Sequence, residues 1–129
     1  MIVDSSAIIA ILRGEKEAQA CALAMEQAEI LRISAANFLE TAIVIDCSRD
    51  PIASRRLDDF VKEAGLIIEG VSERQAWIAR EAYRDFGKGS GHPARLNFGD
   101  CFAYALAKTS GEPLLYIGDD FVHTDVTTA

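Results

Sequence analysis

Four acidic residues, Asp4, Glu40, Asp100 and Asp119, occupy positions where a carboxylate is hard to explain as ordinary surface. Asp4 closes the apolar run MIV, and Asp119 follows PLLYIG. Glu40 lies between Leu39 and the apolar run 42–45 on a segment with little other polar surface, and Asp100 falls in the first turn of a helix that continues through Phe102 and Leu106. Taking an ionised carboxylate out of water without a partner is very costly. No lysine or arginine stands one helical turn from Glu40 to offset it. A shared divalent cation relieves all four groups at once, because hard cations such as Mg²⁺ take oxygen ligands from a few carboxylates, waters and phosphates. Each acid also has an ordinary use. Asp4 can cap a helix, Asp100 can complete a capping box opened by Asn97, and Asp119 and Asp120 can serve a turn. Those uses are independent of one another, whereas a metal site accounts for the four together.

The elements that must position these acids follow from periodicity and caps. Residues 1–4 read as a strand and 5–13 as a helix opened by Ser5 or Ser6 and ended by Gly14. A helix at 15–28, a strand at 30–34 and an apolar helix at 35–49 follow. Asp50-Pro51 breaks the chain before a helix at 52–64, and 66–71 is a third strand. Ser72 opens a helix over 72–86, Asn97 caps another over 97–111, and 113–119 is a fourth strand. Short β-branched runs alternating with helices predict an α/β fold, a sandwich around a mainly parallel sheet. In such sheets the ligand crevice lies beyond the carboxyl ends of the strands, where Asp4 and Asp119 would project. The length favours one domain, residues 1–129.

Composition narrows the function. A net charge of −7, with 20 acidic against 13 basic residues, argues against a general nucleic-acid coat protein. That objection weakens where carboxylates gather round a cation and basic residues concentrate elsewhere. Arg84, Lys88 and Arg95, with His92, bracket the glycine-rich segment 87–97, and a flexible cationic loop near Asp100 suits the positioning of phosphates, through Lys88 and Arg95 above all. Arg49, Arg55 and Arg56 read as a solvated helix surface, and Trp77, Tyr83 and Phe86 as core or interface. Cys21, Cys47 and Cys101, three in number and without CxxC spacing, read as small core residues in a reducing compartment. No apolar run is long enough for a membrane span. MIVD reads as a strand and not a leader, so a cytoplasmic location is expected.

The four acids sit in the pieces MIVDSSAIIAIL, ISAANFLETAIV, LNFGDCFAYALAK and PLLYIGDDFVHTD. In that order they resemble the PIN domain, specifically the VapC-type toxins of toxin–antitoxin operons, over essentially the whole chain. The resemblance implies a PIN-like α/β/α sandwich in which Asp4, Glu40, Asp100 and Asp119 hold one or two Mg²⁺ ions, with Mn²⁺ able to substitute. Ser6 and Asn97 would support the site, and Asp120 could stand in for Asp119. The implied activity is endonucleolytic cleavage of RNA by a metal-activated water, leaving a 5′-phosphate and a 3′-hydroxyl. The implied partners are a cognate antitoxin and a second copy of the chain, for which the helices at 35–64 offer apolar surface. A phosphotransferase with an aspartate nucleophile would need a late lysine and a DxD after the first strand. The last lysine, Lys108, lies inside a helix and DxD is absent. A catalytically silent PIN-like protein- or RNA-binding module is the other alternative, and retention of all four acids counts against it.

Overall fold

Strand β1 (Ile2–Val3) sends Ile2 to one face of the sheet and Val3 to the other, and both are fully buried. This two-sided burial, expected of a parallel sheet, recurs at β4 (Leu114–Leu115), where Leu114 and Leu115 again join opposite cores. With β2 (Arg32–Ser34) and β3 (Ile67–Glu69) they make a parallel sheet in the order β3-β2-β1-β4 in the computed structural model, which describes residues 1–129. One face carries the core of α5 (Glu73–Phe86) and α6 (Phe98–Ser110). The other carries α1 (Ser5–Arg13), α2 (Ala18–Glu26), α3 (Ala35–Asp46) and α4 (Pro51–Glu63). The result is the expected α/β/α sandwich. The chain winds outward from β1 through β2 to β3, then returns across the other face to place β4 beside β1. The order therefore reverses at β1, the place where open α/β sheets bind ligands.

The strands are shorter than the sequence pattern implies. β4 ends at Leu115, so Asp119 lies four residues past the strand and not at its tip, after a turn through Gly118 (φ 98°). A positive φ of this kind favours glycine, and it breaks the run that PLLYIGD presents as continuous. The helix expected over 15–28 is shorter, Ala18–Glu26, and has no side-chain cap, whereas the capped helices start close to where they are expected, with one change of cap. Asp4, and not Ser5 or Ser6, is the N-cap of α1, its carboxylate accepting from the Ser6 amide.

Two further expectations are corrected. Cys21 and Cys101 are buried, but Cys47 is exposed at the C-cap of α3, where the helix leaves the core. The glycine-rich segment is not loose. Gly87 pairs with Leu96 in an isolated bridge, the Lys88 amide donates to Leu96 O (2.9 Å) and the Leu96 amide to Phe86 O (2.9 Å). Ala94 and Leu96 are buried, and His92 packs its ring edge-on to Phe86 while its Nδ1 accepts from the Ala94 amide. The segment is thus a pinned loop that presents Lys88 and Arg95 to solvent.

Candidate active site

Asp4 and Asp100 reach the carboxyl edge of the sheet by different routes. Asp4 directly follows β1, and the hydrogen bonds it accepts, from the Ser6 amide (3.0 Å) and hydroxyl (2.6 Å), both end on Oδ2. Asp100 stands in the first turn of α6 and forms a reciprocal capping box with Asn97. The Asn97 amide donates to Asp100 Oδ2 (2.9 Å), and the Asp100 amide to Asn97 Oδ1 (2.9 Å). The ordinary capping uses are therefore real, but each consumes one oxygen. Oδ1 of both residues has no protein donor.

Both carboxyls are almost wholly buried, Asp4 at 6% and Asp100 at 7% exposure. Burial raises the pKa of Asp100 to about 7; the Asn97 amide opposes this, and Asp4, Asp120 and Glu40 add to it. Burial likewise raises Asp4, against the Ser6 hydrogen bonds, and Glu40 adds to the rise. Four carboxylates from four parts of the chain thus share one electrostatic neighbourhood: Asp4, Glu40, Asp100 and Asp120. Asp119, the residue favoured on sequence, and its neighbour Asp120 are both exposed, and Asp120 is the one whose charge adds to the rise of Asp100 alongside Asp4 and Glu40.

Glu40 arrives differently from the expectation. It is exposed, as are Leu39 and Ile43 on the same helix, so it is not an acid trapped in an apolar core. Its carboxylate lies so close over Gly99 that a Cβ there would collide with it. Gly99 is consequently the residue that lets α3 bring an acid against the start of α6. Sequence reading missed it, although a glycine in the first turn of a helix, against propensity, is a visible signal.

Asn37 is a second residue the sequence did not bring out. It is fully buried on α3, donates from Nδ2 to Gly99 O (2.9 Å), and through its own carbonyl accepts from Ser5 Oγ (3.1 Å) and Thr41 Oγ1 (2.8 Å). It thereby ties the helices that follow Asp4, carry Glu40 and carry Asp100. Its only sequence signal is a polar side chain one turn before Glu40. Ser6 joins a fourth segment, since its hydroxyl donates to Asp4 and accepts from the Ile117 amide (3.0 Å), just ahead of the acidic turn.

The donor chemistry fits a hard divalent cation: oxygen only, anionic, with two buried carboxyls each keeping one oxygen free of protein donors. No group of three histidine, cysteine, aspartate or glutamate side chains is already drawn together around a single point. The acids form an electrostatic cluster and not a closed coordination shell.

Residues 1–126 match the PIN domain family. Over 129 residues the chain is 59% identical to Ribonuclease VapC28 of Mycobacterium tuberculosis, an alignment covering 100% of this chain and 97% of that protein. Its fold matches the crystal structure of Mycobacterium tuberculosis VapC20, described as a sarcin-ricin loop cleaving toxin, with a TM-score of 0.77 at 17% identity over 99% of this chain and 97% of that one. A toxin–antitoxin complex from Klebsiella pneumoniae contains a chain matching at a TM-score of 0.75 and 16% identity, over 99% of this chain and 95% of that one. At those identities the solved structures bear on the fold alone, and the sequence matches carry the family. The chain belongs to the PIN domain family and, within it, to the VapC ribonucleases.

Proposed function

We propose that this chain is a divalent-cation-dependent endoribonuclease acting as the toxin of a toxin–antitoxin pair. The observation that carries the mechanism is the pair of buried carboxyls, Asp4 and Asp100, each raised by burial and by neighbouring acids. Like charges gathered at a topological switch point are costly to keep unless a cation is bound there. Asp4, Glu40, Asp100 and Asp120 are the residues that would hold Mg²⁺ or Mn²⁺, with Asp120 preferred to Asp119 because it acts on Asp100. When bound, such a cation supplies a water of lowered pKa and positive charge for the phosphoryl oxygens. Ser6 and Asn97 hold the Oδ2 atoms of Asp4 and Asp100 in place. Lys88 and Arg95, neither of them in an ion pair, present positive charge on the pinned loop for RNA phosphates, whereas Arg84 is engaged by Asp85 (3.1 Å).

The match to VapC28 and the fold shared with a toxin–antitoxin complex support a cognate antitoxin as partner. The net charge of −7 favours a basic one. Leu39 (59% exposed) and Ile43 (53%) give α3 an apolar strip suited to a second copy of the chain. No helix is long and apolar enough to cross a membrane.

The test is cleavage of RNA with Mg²⁺ or Mn²⁺ by wild type and by Asp4→Asn, Glu40→Gln, Asp100→Asn and Asp120→Asn. Each substitution removes one charge and should lower the rate by at least a hundredfold with the fold retained. Wild-type rates in two of the four would remove the proposed site. Expression of the wild-type chain should arrest bacterial growth, with rescue by the antitoxin. Growth unaffected by abundant folded protein would count against the toxin assignment.

A further inference from the structure

A cavity of about 550 Å³ lies between α5 and the first turns of α6. Its wall includes Tyr83, Phe98 and Phe102, and at its rim stand Arg80, Lys88 and Asn97. Asn97 is also the residue that caps α6 and holds Asp100, so one wall residue of the cavity is hydrogen-bonded to a member of the acidic cluster. Phe98 is 80% exposed, an unusual position for a phenylalanine in a helix, and sits edge-on to Phe102 with centroids 4.9 Å apart. The Tyr83 hydroxyl donates to Lys88 O (3.1 Å), fixing ring and loop together.

Charge decides what such a cavity would accept. The four other principal cavities each have at least one carboxylate in their walls, as expected for a chain of net charge −7. This one has none, and its two charged members are both cations. Aromatic faces beside cationic side chains make up the usual platform for single-stranded nucleic acid, where bases stack and cations take the phosphates.

We propose that this cavity receives one unpaired base of the RNA strand, next to the phosphodiester presented to the acidic cluster, with Phe98 as its stacking face and Arg80 and Lys88 on the flanking phosphates. The proposal rests on the endoribonuclease reading above and adds a base-binding site to it. It makes Phe98 a substrate-positioning residue that the acids themselves do not require.

The experiment uses the full chain in EDTA, so that nothing is cleaved, with a short single-stranded oligoribonucleotide carrying 2-aminopurine. Stacking should quench the fluorophore on wild type. Phe98→Ala should abolish that quenching and weaken binding about tenfold, while Phe98→Trp should restore both. Replacing the fluorescent base by an abasic nucleotide should weaken binding to wild type similarly and leave binding to Phe98→Ala unchanged. Phe98 is exposed, so its truncation does not threaten the fold. Equal affinity and equal quenching for wild type and Phe98→Ala would overturn the proposal. So would Phe98→Ala splitting a dimer, by light scattering, with affinity per protomer unaltered, because the cavity would then belong to a second copy. Cleavage by wild type in Mn²⁺ is scored separately; its absence would remove the nuclease reading, and the quenching would still decide the cavity.

Discussion

Gly99 gives up roughly 1 kcal/mol of helix propensity relative to alanine, and the close approach of Glu40 explains why it is kept. This separates stability from function at one atom. Gly99→Ala should melt at or above the wild-type temperature, because the clash is with the far end of a flexible side chain that can swing away. RNA cleavage should nevertheless fall at least tenfold, because the displaced carboxylate is the one proposed to complete the site. Thermal melts and single-turnover rates on the same preparation check this, and an active, unperturbed Gly99→Ala would show that Glu40 is not needed over α6. Asp4 and Asp100 were legible because each sits at the edge of an apolar element, Asp4 after β1 and Asp100 in the first turn of α6, although each also takes part in capping a helix there. Asn37 was not, since its side chain donates to the backbone carbonyl of Gly99 and its own carbonyl accepts from the Ser5 hydroxyl, and hydrogen bonds to distant carbonyls leave no trace in spacing. The choice between Asp119 and Asp120 was equally hidden, because the path after Gly118 has no period to extrapolate.

At the scale of elements, four helices were readable from a cap or a stop, namely Asp4, Asp50, Ser72, Asn97, Gly14 and Gly111, and the alternation of strands with helices gave the parallel sheet. The loop 87–97 was misread as flexible, because its order comes from the buried side chains of Ala94 and Leu96 and from backbone pairing across the loop, and not from composition. Between those anchors Arg95 adopts φ 56°, a conformation that costs an L residue about 1 kcal/mol or more. Arg95→Gly should accordingly be as stable as wild type or gain up to about 1 kcal/mol, whereas Arg95→Ala keeps the strain and loses the charge. If the loop holds Arg95 in this conformation to meet a phosphate, both variants weaken RNA binding alike. The salt dependence should flatten by about one unit of slope for each cation removed, and by about two in Lys88→Ala, Arg95→Ala. Titrations at several salt concentrations measure this. A slope unchanged in the double variant would leave the loop as a structural clasp only.

At the scale of the molecule, the acidic cluster couples folding to protons and, under the proposed function, to a divalent cation. Asp100 has its pKa raised from 3.8 to about 7 by burial, against the Asn97 amide and with help from Asp4, Asp120 and Glu40. Between those values the folded chain holds a proton that the unfolded chain has released. The slope of unfolding free energy with pH, set by protons bound unfolded minus folded, is therefore negative across that window. In EDTA the protein should lose stability as pH rises from about 4 to about 7, with Asp4 shifting in the same sense. Below the ordinary aspartate range the trend reverses, because Asp125, held low by the Tyr104 hydroxyl and then by Lys108, must be protonated. A cation binding only the folded chain adds stability of about 2.7 kcal/mol at a hundredfold excess over Kd, roughly 10 °C for a chain of this size. That gain should shrink as pH falls through about 7 and protons compete for the same oxygens. Asp4→Asn, Asp100→Asn together should remove the neutral-pH deficit, melting above wild type in EDTA at pH 8, and should gain little from Mn²⁺. Melting curves of wild type and the double variant at pH 5.5 and 8, each with EDTA and with Mn²⁺, test the coupling. If the variant gained as much from Mn²⁺ at pH 8 as wild type does, the cation would bind elsewhere. The repulsion at the switch point between β1 and β4 would then have to be relieved by protons alone, leaving Asp100 neutral over much of the range in which the chemistry requires its charge.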